Sequence, residues 1–197
     1  MSPNNWKFLI ILALIVLFFI FVYLKNDEPY EFIGISHLII KNEYIFDENR
    51  KFGSIGEKYS CKILEEYLGK KIKTNYRPNF LKNPETGRNL ELDMYDDEMK
   101  IAIEYNGEQH YKYPNKFHKS EKEFVNQVYR DEYKKTICEK EGIFLINIPY
   151  YIDEIKKEEI KNLKKLSKKE KNLKIEKLRE KKLKEYLMPI LNSYFNI

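Results

Sequence analysis

Residues 89–111 read NLELDMYDDEMKIAIEYNGEQHY, and they restrict the fold of this chain more than any other stretch. Two short apolar runs, 90–95 and 101–105, have the length and composition of strands, and the polar turn Asp96-Asp97-Glu98 between them suits a hairpin. Each run carries one acid among apolar neighbours, Asp93 in the first and Glu104 in the second. An ionised carboxylate among Leu, Met, Ile and Ala is costly unless something positive meets it. Two such acids on adjacent strands, followed by Gln109, His110 and Tyr111, suit a cradle for a divalent cation. That reading sets two conditions: the acids must share one sheet face, and neither may be buried against a permanent arginine or lysine.

A chain of 197 residues fits one domain of ordinary size plus appendages. Apolar residues at 43% supply a core and charged residues at 34% solvate the surface, while seven Gly and seven Pro are too few for a disordered chain. The formal charge of +5 is unevenly placed. Residues 154–185 hold 14 Lys/Arg against 7 Glu, which leaves 22 bases and 24 acids elsewhere. Attraction to polyanions therefore resides mainly in the C-terminal segment. Cys61 and Cys138 make no disulfide framework and read as small buried residues within helices. With His37, His110 and His118 they show no zinc-ligand spacing.

Near the start, 8–24 reads FLIILALIVLFFIFVYL, uncharged, with Trp6 before it and Tyr23 near its end. The run with its flank, 6–24, approaches the length of a bilayer-spanning helix and has aromatic edges. A cleaved signal peptide would show a small-residue cleavage triplet, and an ordinary core helix a polar face. The expectation is a single membrane anchor within 1–25, then a juxtamembrane linker over 26–50. From Ser54 a capping box with Glu57 opens a helix that Gly69 ends. A weak strand follows at 71–76, then the hairpin. A helix over 121–141 stops at Gly142, and a short apolar strand covers 143–148. The order is helix, three strands, helix, strand, an α/β (α+β) arrangement. Residues 151–197 form a Lys/Glu-rich helical segment in which Leu163, Leu166, Leu173, Leu178, Leu183 and Leu187 make a thin apolar stripe. It is expected to dock on the core for part of its length, with its basic face either merely solvated or tracking phosphates.

These residues together support a resemblance. Glu57 in the first helix, Leu92-Asp93 in a strand, Ile103-Glu104-Tyr105-Asn106-Gly107 in the next and then Gln109-His110-Tyr111 resemble the PD-(D/E)XK restriction-endonuclease-like superfamily. Within it, the string is similar to nuclease-like proteins of bacteria and large DNA viruses. The resemblance covers 51–150 and implies an αβββαβ core. It also implies that Asp93 and Glu104 bind a catalytic Mg2+ (or Mn2+), that Glu57 completes or supports the site, and that DNA is the substrate. A cation on two carboxylates would neutralise a scissile phosphate and lower the pKa of an attacking water. The superfamily's lysine falls two positions after the glutamate, where this chain has Asn106. Gln109 could orient the water instead, or Lys134 could reach in from the following helix.

Each residue also has a plainer explanation. Glu57 could serve only the capping box, and Asp93 could be a strand-end acid in a turn. Gln109 and His110 stand at a strand exit, where loops place reactive groups, and are read as water or phosphate contacts; Tyr111 is read as packing. Arg130 and Lys134 are candidates for phosphate contact, against a surface ion pair between Asp131 and Lys134. The resulting expectation is a single-pass membrane protein, its soluble part cytosolic, that is a metal-dependent (endo)deoxyribonuclease. Its Lys-, Ile-, Asn- and Tyr-rich wording suggests an AT-rich, viral genome. The alternatives are a catalytically inactive nuclease-fold protein that binds nucleic acid or tethers it to a membrane, and a module whose basic helix meets anionic lipid.

Overall fold

The computed structural model describes residues 44–161 and 163–196. The expected membrane segment and most of the linker lie outside the described residues. No helix among the described residues is long and apolar enough to cross a membrane.

Helix α1, Ile55–Leu68, begins where the sequence signals it: the Ser54 hydroxyl accepts the Glu57 N–H at 3.1 Å. It ends at Gly69, whose φ of 67° is the left-handed conformation that glycine adopts without penalty. Strand β1, Lys73–Tyr76, and the hairpin strands β2, Leu92–Asp96, and β3, Ile101–Asn106, follow. The hairpin turn is set one residue later than the sequence suggests. Asp96 ends β2, its carboxylate accepts the Met99 N–H at 2.8 Å, and Lys100 takes a φ of 49°. Helix α2, Glu121–Lys140, capped by Ser120, then crosses to β4, Phe144–Pro149. A short helix α3, Lys157–Lys161, and a 27-residue helix α4, Lys168–Tyr194, complete the chain.

The four strands form one sheet in the order β1-β2-β3-β4, antiparallel except for the β3–β4 pair, which is parallel. A parallel pair needs a long crossover, and α2 supplies it. Because side chains alternate along a strand, β3 sends Ile101 and Ile103 to one face and Ala102 and Glu104 to the other. The first face packs with Met94 against Ile63 and Leu64 of α1 and Leu183, Leu187 and Leu191 of α4. The second packs Tyr95 and Ala102 against Cys138 of α2 and Ile143. Both cysteines are buried and free.

The core does not stop at residue 150. Leu183, Leu187 and Leu191 recur every four residues on one face of α4 and are fully buried. Burial of each contributes roughly 1.5–3 kcal/mol. Leu173, which the sequence puts in the same stripe, is 55% exposed, so the docked part of α4 is its C-terminal half. Tyr44 and Arg50, from the expected linker, both bond the fully buried Glu65 of α1, and the Arg50–Glu65 pair closes at 2.6 Å. The described residues on either side of 51–150 thus contribute to its core.

Candidate active site

The hairpin places the two acids opposite each other. The ladder pairs Asp96 with Ile101, Tyr95 with Ala102 and Met94 with Ile103, and the next step in that register sets Asp93 against Glu104 on the α2 face. There the carboxylates take the place of ladder bonds. Asp93 Oδ2 accepts the Tyr105 N–H at 2.8 Å, and Glu104 Oε1 accepts the Asp93 N–H at 3.3 Å. Each acid is thus held by the other strand's backbone. The first condition, one shared face, is met.

The second condition is not met for Glu104. It is 4% exposed, and Lys134 Nζ reaches its Oε2 at 2.6 Å from one side of α2. Of the alternatives the sequence left for Lys134, it takes the reach inward from the following helix rather than a surface pairing with Asp131. It is turned inward on the motif glutamate. Even so, burial pushes the Glu104 carboxyl up to about 7, with Asp93 adding to the rise and Lys134 opposing it. Asp93 is also raised, by burial first, against the Tyr105 N–H and the charge of Lys134. Glu57 is raised by burial and by the nearby charge of Asp93. Three acids with shifts in one direction, and one lysine among them, leave the site short of positive charge.

Glu57 has a double role. Its backbone N–H meets Ser54, and its carboxylate accepts the Gly53 N–H at 2.9 Å. It bonds backbone at the helix start and feels Asp93 as well. What brings α1 this close to the sheet is Gly56, because a Cβ there would lie 2.0 Å from the Tyr105 ring.

After β3 the chain turns through Glu108–His110. Gln109 folds back over Gly107, where a Cβ would lie 2.4 Å from its Oε1. His110 points to α2 instead: its Nδ1 lies 2.7 Å from Asp131 Oδ2, and Gln127 Nε2 donates to Asp131 Oδ1 at 2.8 Å. Arg130 donates to Gln127 Oε1 at 2.6 Å, so in this arrangement it braces the cluster. Asn106, two positions after Glu104, is buried and bonds Asn147 of β4 at 3.4 Å.

Two of these partners, Gln127 and Asp153, escaped the sequence reading. Gln127, Asp131 and Lys134 are spaced by four and three, which puts them on one face of α2, and that spacing was a usable signal. Asp153 gave none. It is wholly buried, accepts the Tyr105 hydroxyl at 2.7 Å and is held by Arg179 of α4 at 2.7 Å.

Among the described residues no set of three or more His, Cys, Asp and Glu is arranged to ligate a metal unaided. Asp93 and Glu104 offer the oxygen donors that suit Mg2+ or Mn2+. Mg2+ is commonly bound by one or two carboxylates and completed by water and phosphate.

No family model matches the chain. No solved structure matches it either. The chain is 39% identical over 126 residues to uncharacterized protein 307L of Invertebrate iridescent virus 6, covering 57% of this chain and 64% of that protein. It is 46% identical over 76 residues to uncharacterized protein 033L of Invertebrate iridescent virus 3, covering 39% of each. It is 49% identical over 74 residues to uncharacterized protein 094L of Frog virus 3, covering 37% of this chain and 48% of that protein. The chain thus spans less than two thirds of the length of each of these three viral relatives.

Proposed function

We propose that this chain is a metal-dependent nuclease of the PD-(D/E)XK type that hydrolyses DNA phosphodiesters and is held at a membrane by residues 6–24. The observation that carries the reading is the opposed pair Asp93 and Glu104, each anchored by the backbone of the other's strand at the open end of the hairpin. Asp93 and Glu104, with Glu57 in support, would hold Mg2+ or Mn2+. Such an ion, when bound, neutralises the scissile phosphate and lowers the pKa of a water. The chain's own residues supply the rest. Lys134, bonded to Glu104 at 2.6 Å, would neutralise it and donate to a phosphate oxygen, the part the superfamily gives to the lysine replaced here by Asn106. Gln109 offers an amide to orient water, and the basic outer face of α4 offers the phosphate backbone a place to lie.

The Lys134–Glu104 contact favours a second reading, a nuclease fold in which that ion pair is structural and the protein binds nucleic acid without cutting it. Incubation of the full-length protein with supercoiled plasmid separates the two. The nuclease reading expects nicking with Mg2+ or Mn2+, blocked by EDTA and lost in Asp93→Asn and Glu104→Gln. Plasmid binding with no nicking would establish the second reading, and nicking that survives both substitutions would reject the assigned residues.

A further inference from the structure

The bracket around His110 lies near Asp93, and nothing in the metal chemistry requires it. His110 leaves β3 on a short turn, and its ring is fixed from α2. Asp131 takes Nδ1 at 2.7 Å, Gln127 holds the second Asp131 oxygen at 2.8 Å, and Arg130 holds Gln127 at 2.6 Å. Three residues of one helix thus set the orientation of one imidazole. With the Asp131 carboxylate accepting from Nδ1, the second proton of the imidazolium sits on Nε2, the ring edge away from Asp131. His110 and Asp131 side chains are 16% and 20% exposed, so the dyad is sheltered yet open at its edge. The charge of His110 also acts on Asp93. The charged groups that act on it are Asp131 from α2 and Asp93 from β2.

We propose that His110, oriented by Asp131, is the general acid that protonates the leaving sugar oxygen during phosphodiester hydrolysis. This rests on the nuclease reading. The water oxygen bonds to phosphorus, the bond from phosphorus to the sugar oxygen breaks, and that oxygen takes the proton from Nε2. The proton shed by the attacking water returns to Nε2 through solvent, so the net change is addition of one water. Asp131 is a positioning residue: it fixes the tautomer and stabilises the imidazolium. General acids of this kind are worth roughly 10²–10⁴-fold in rate.

The test compares plasmid with bis(4-nitrophenyl) phosphate, whose leaving group departs without a proton. In full-length protein with Mn2+, His110→Gln should slow plasmid nicking at least roughly 10²-fold while nearly sparing the activated ester. Asp131→Asn should follow the same pattern more mildly. Mn2+ affinity should be unchanged in both, unlike in Asp93→Asn. Equal losses on both substrates, or loss of Mn2+ binding in His110→Gln, would overturn the proposal and leave the nuclease reading standing. A wild type that cuts plasmid but not the ester shifts the decision to the pH profile. Loss of its alkaline limb in His110→Gln supports the proposal, and an unchanged limb overturns it. A wild type that cuts neither substrate overturns the nuclease reading, and this proposal with it.

Discussion

Lys134 Nζ lies 2.6 Å from Glu104 Oε2, and it arrives from helix α2 rather than from the strand position that Asn106 occupies. A divalent ion and this lysine must compete for the same carboxylate. Lys134→Met keeps a long side chain and removes the charge. Mn2+ should then bind roughly tenfold tighter, about 1.4 kcal/mol, while plasmid nicking falls by at least about 10²-fold through loss of a cation at the phosphate. Calorimetric titration and a nicking assay check the two halves. Weaker Mn2+ binding together with a lowered melting temperature would mark the pair as structural.

The carboxyl of Glu104 is pushed up to about 7 from an ordinary 4.5, chiefly by burial. An acid with a raised folded pKa binds its proton more tightly in the folded protein. Stability therefore increases as pH falls from about 7 toward 4.5 and is lost as the carboxylate ionises on the way back up. Asp93 and Glu57 shift in the same direction. Glu104→Gln should flatten this slope by on the order of 3 kcal/mol across the window, read from urea melts at several pH values. A slope identical to that of the wild type would contradict the electrostatic description.

Helix α4 is expected to be indispensable. Leu187 is wholly buried against the sheet, so Leu187→Ala should cost about 2–5 kcal/mol in denaturant unfolding. A chain ending at Tyr150 should show no cooperative unfolding transition. Cooperative unfolding of that truncated chain would show that 151–197 is an appendage after all.

Asp153 ties the same helix to the acids. It holds the Tyr105 hydroxyl, and the Tyr105 N–H holds Asp93. Asp153→Asn leaves Arg179 with a neutral partner in a buried place, at a cost of about 3–5 kcal/mol. Nicking should fall even at temperatures where the variant is fully folded, because the anchor of Asp93 loosens. Folded variant with unchanged nicking would show that the tie serves stability alone.

The strands and helices were legible because their signals are local. Ser54 caps a helix and Gly69 and Gly142 end helices with positive φ, whereas the face Asp93 and Glu104 share was left to the register of the hairpin. What escaped is long-range. Lys134 has two readings in the sequence, a surface partner of Asp131 three residues away or a reach into the site, and only the crossover from β3 through α2 decides by laying its helix over Glu104. Arg130, a candidate phosphate contact in the sequence, also donates to Gln127, a partner its position does not announce. Asp153 sits 49 residues beyond Glu104 and 60 beyond Asp93 in a segment that looked like a tail, and no periodicity marks a residue whose partners come from β3 and α4.

The cation itself is the most direct test. Titration of full-length protein with Mn2+, followed by electron paramagnetic resonance of the free ion, counts the ions bound and their affinity. The account predicts a site in the wild type that disappears in both Asp93→Asn and Glu104→Gln and persists in His110→Gln. No bound Mn2+ in the wild type, or binding untouched by the two acid substitutions, would contradict it.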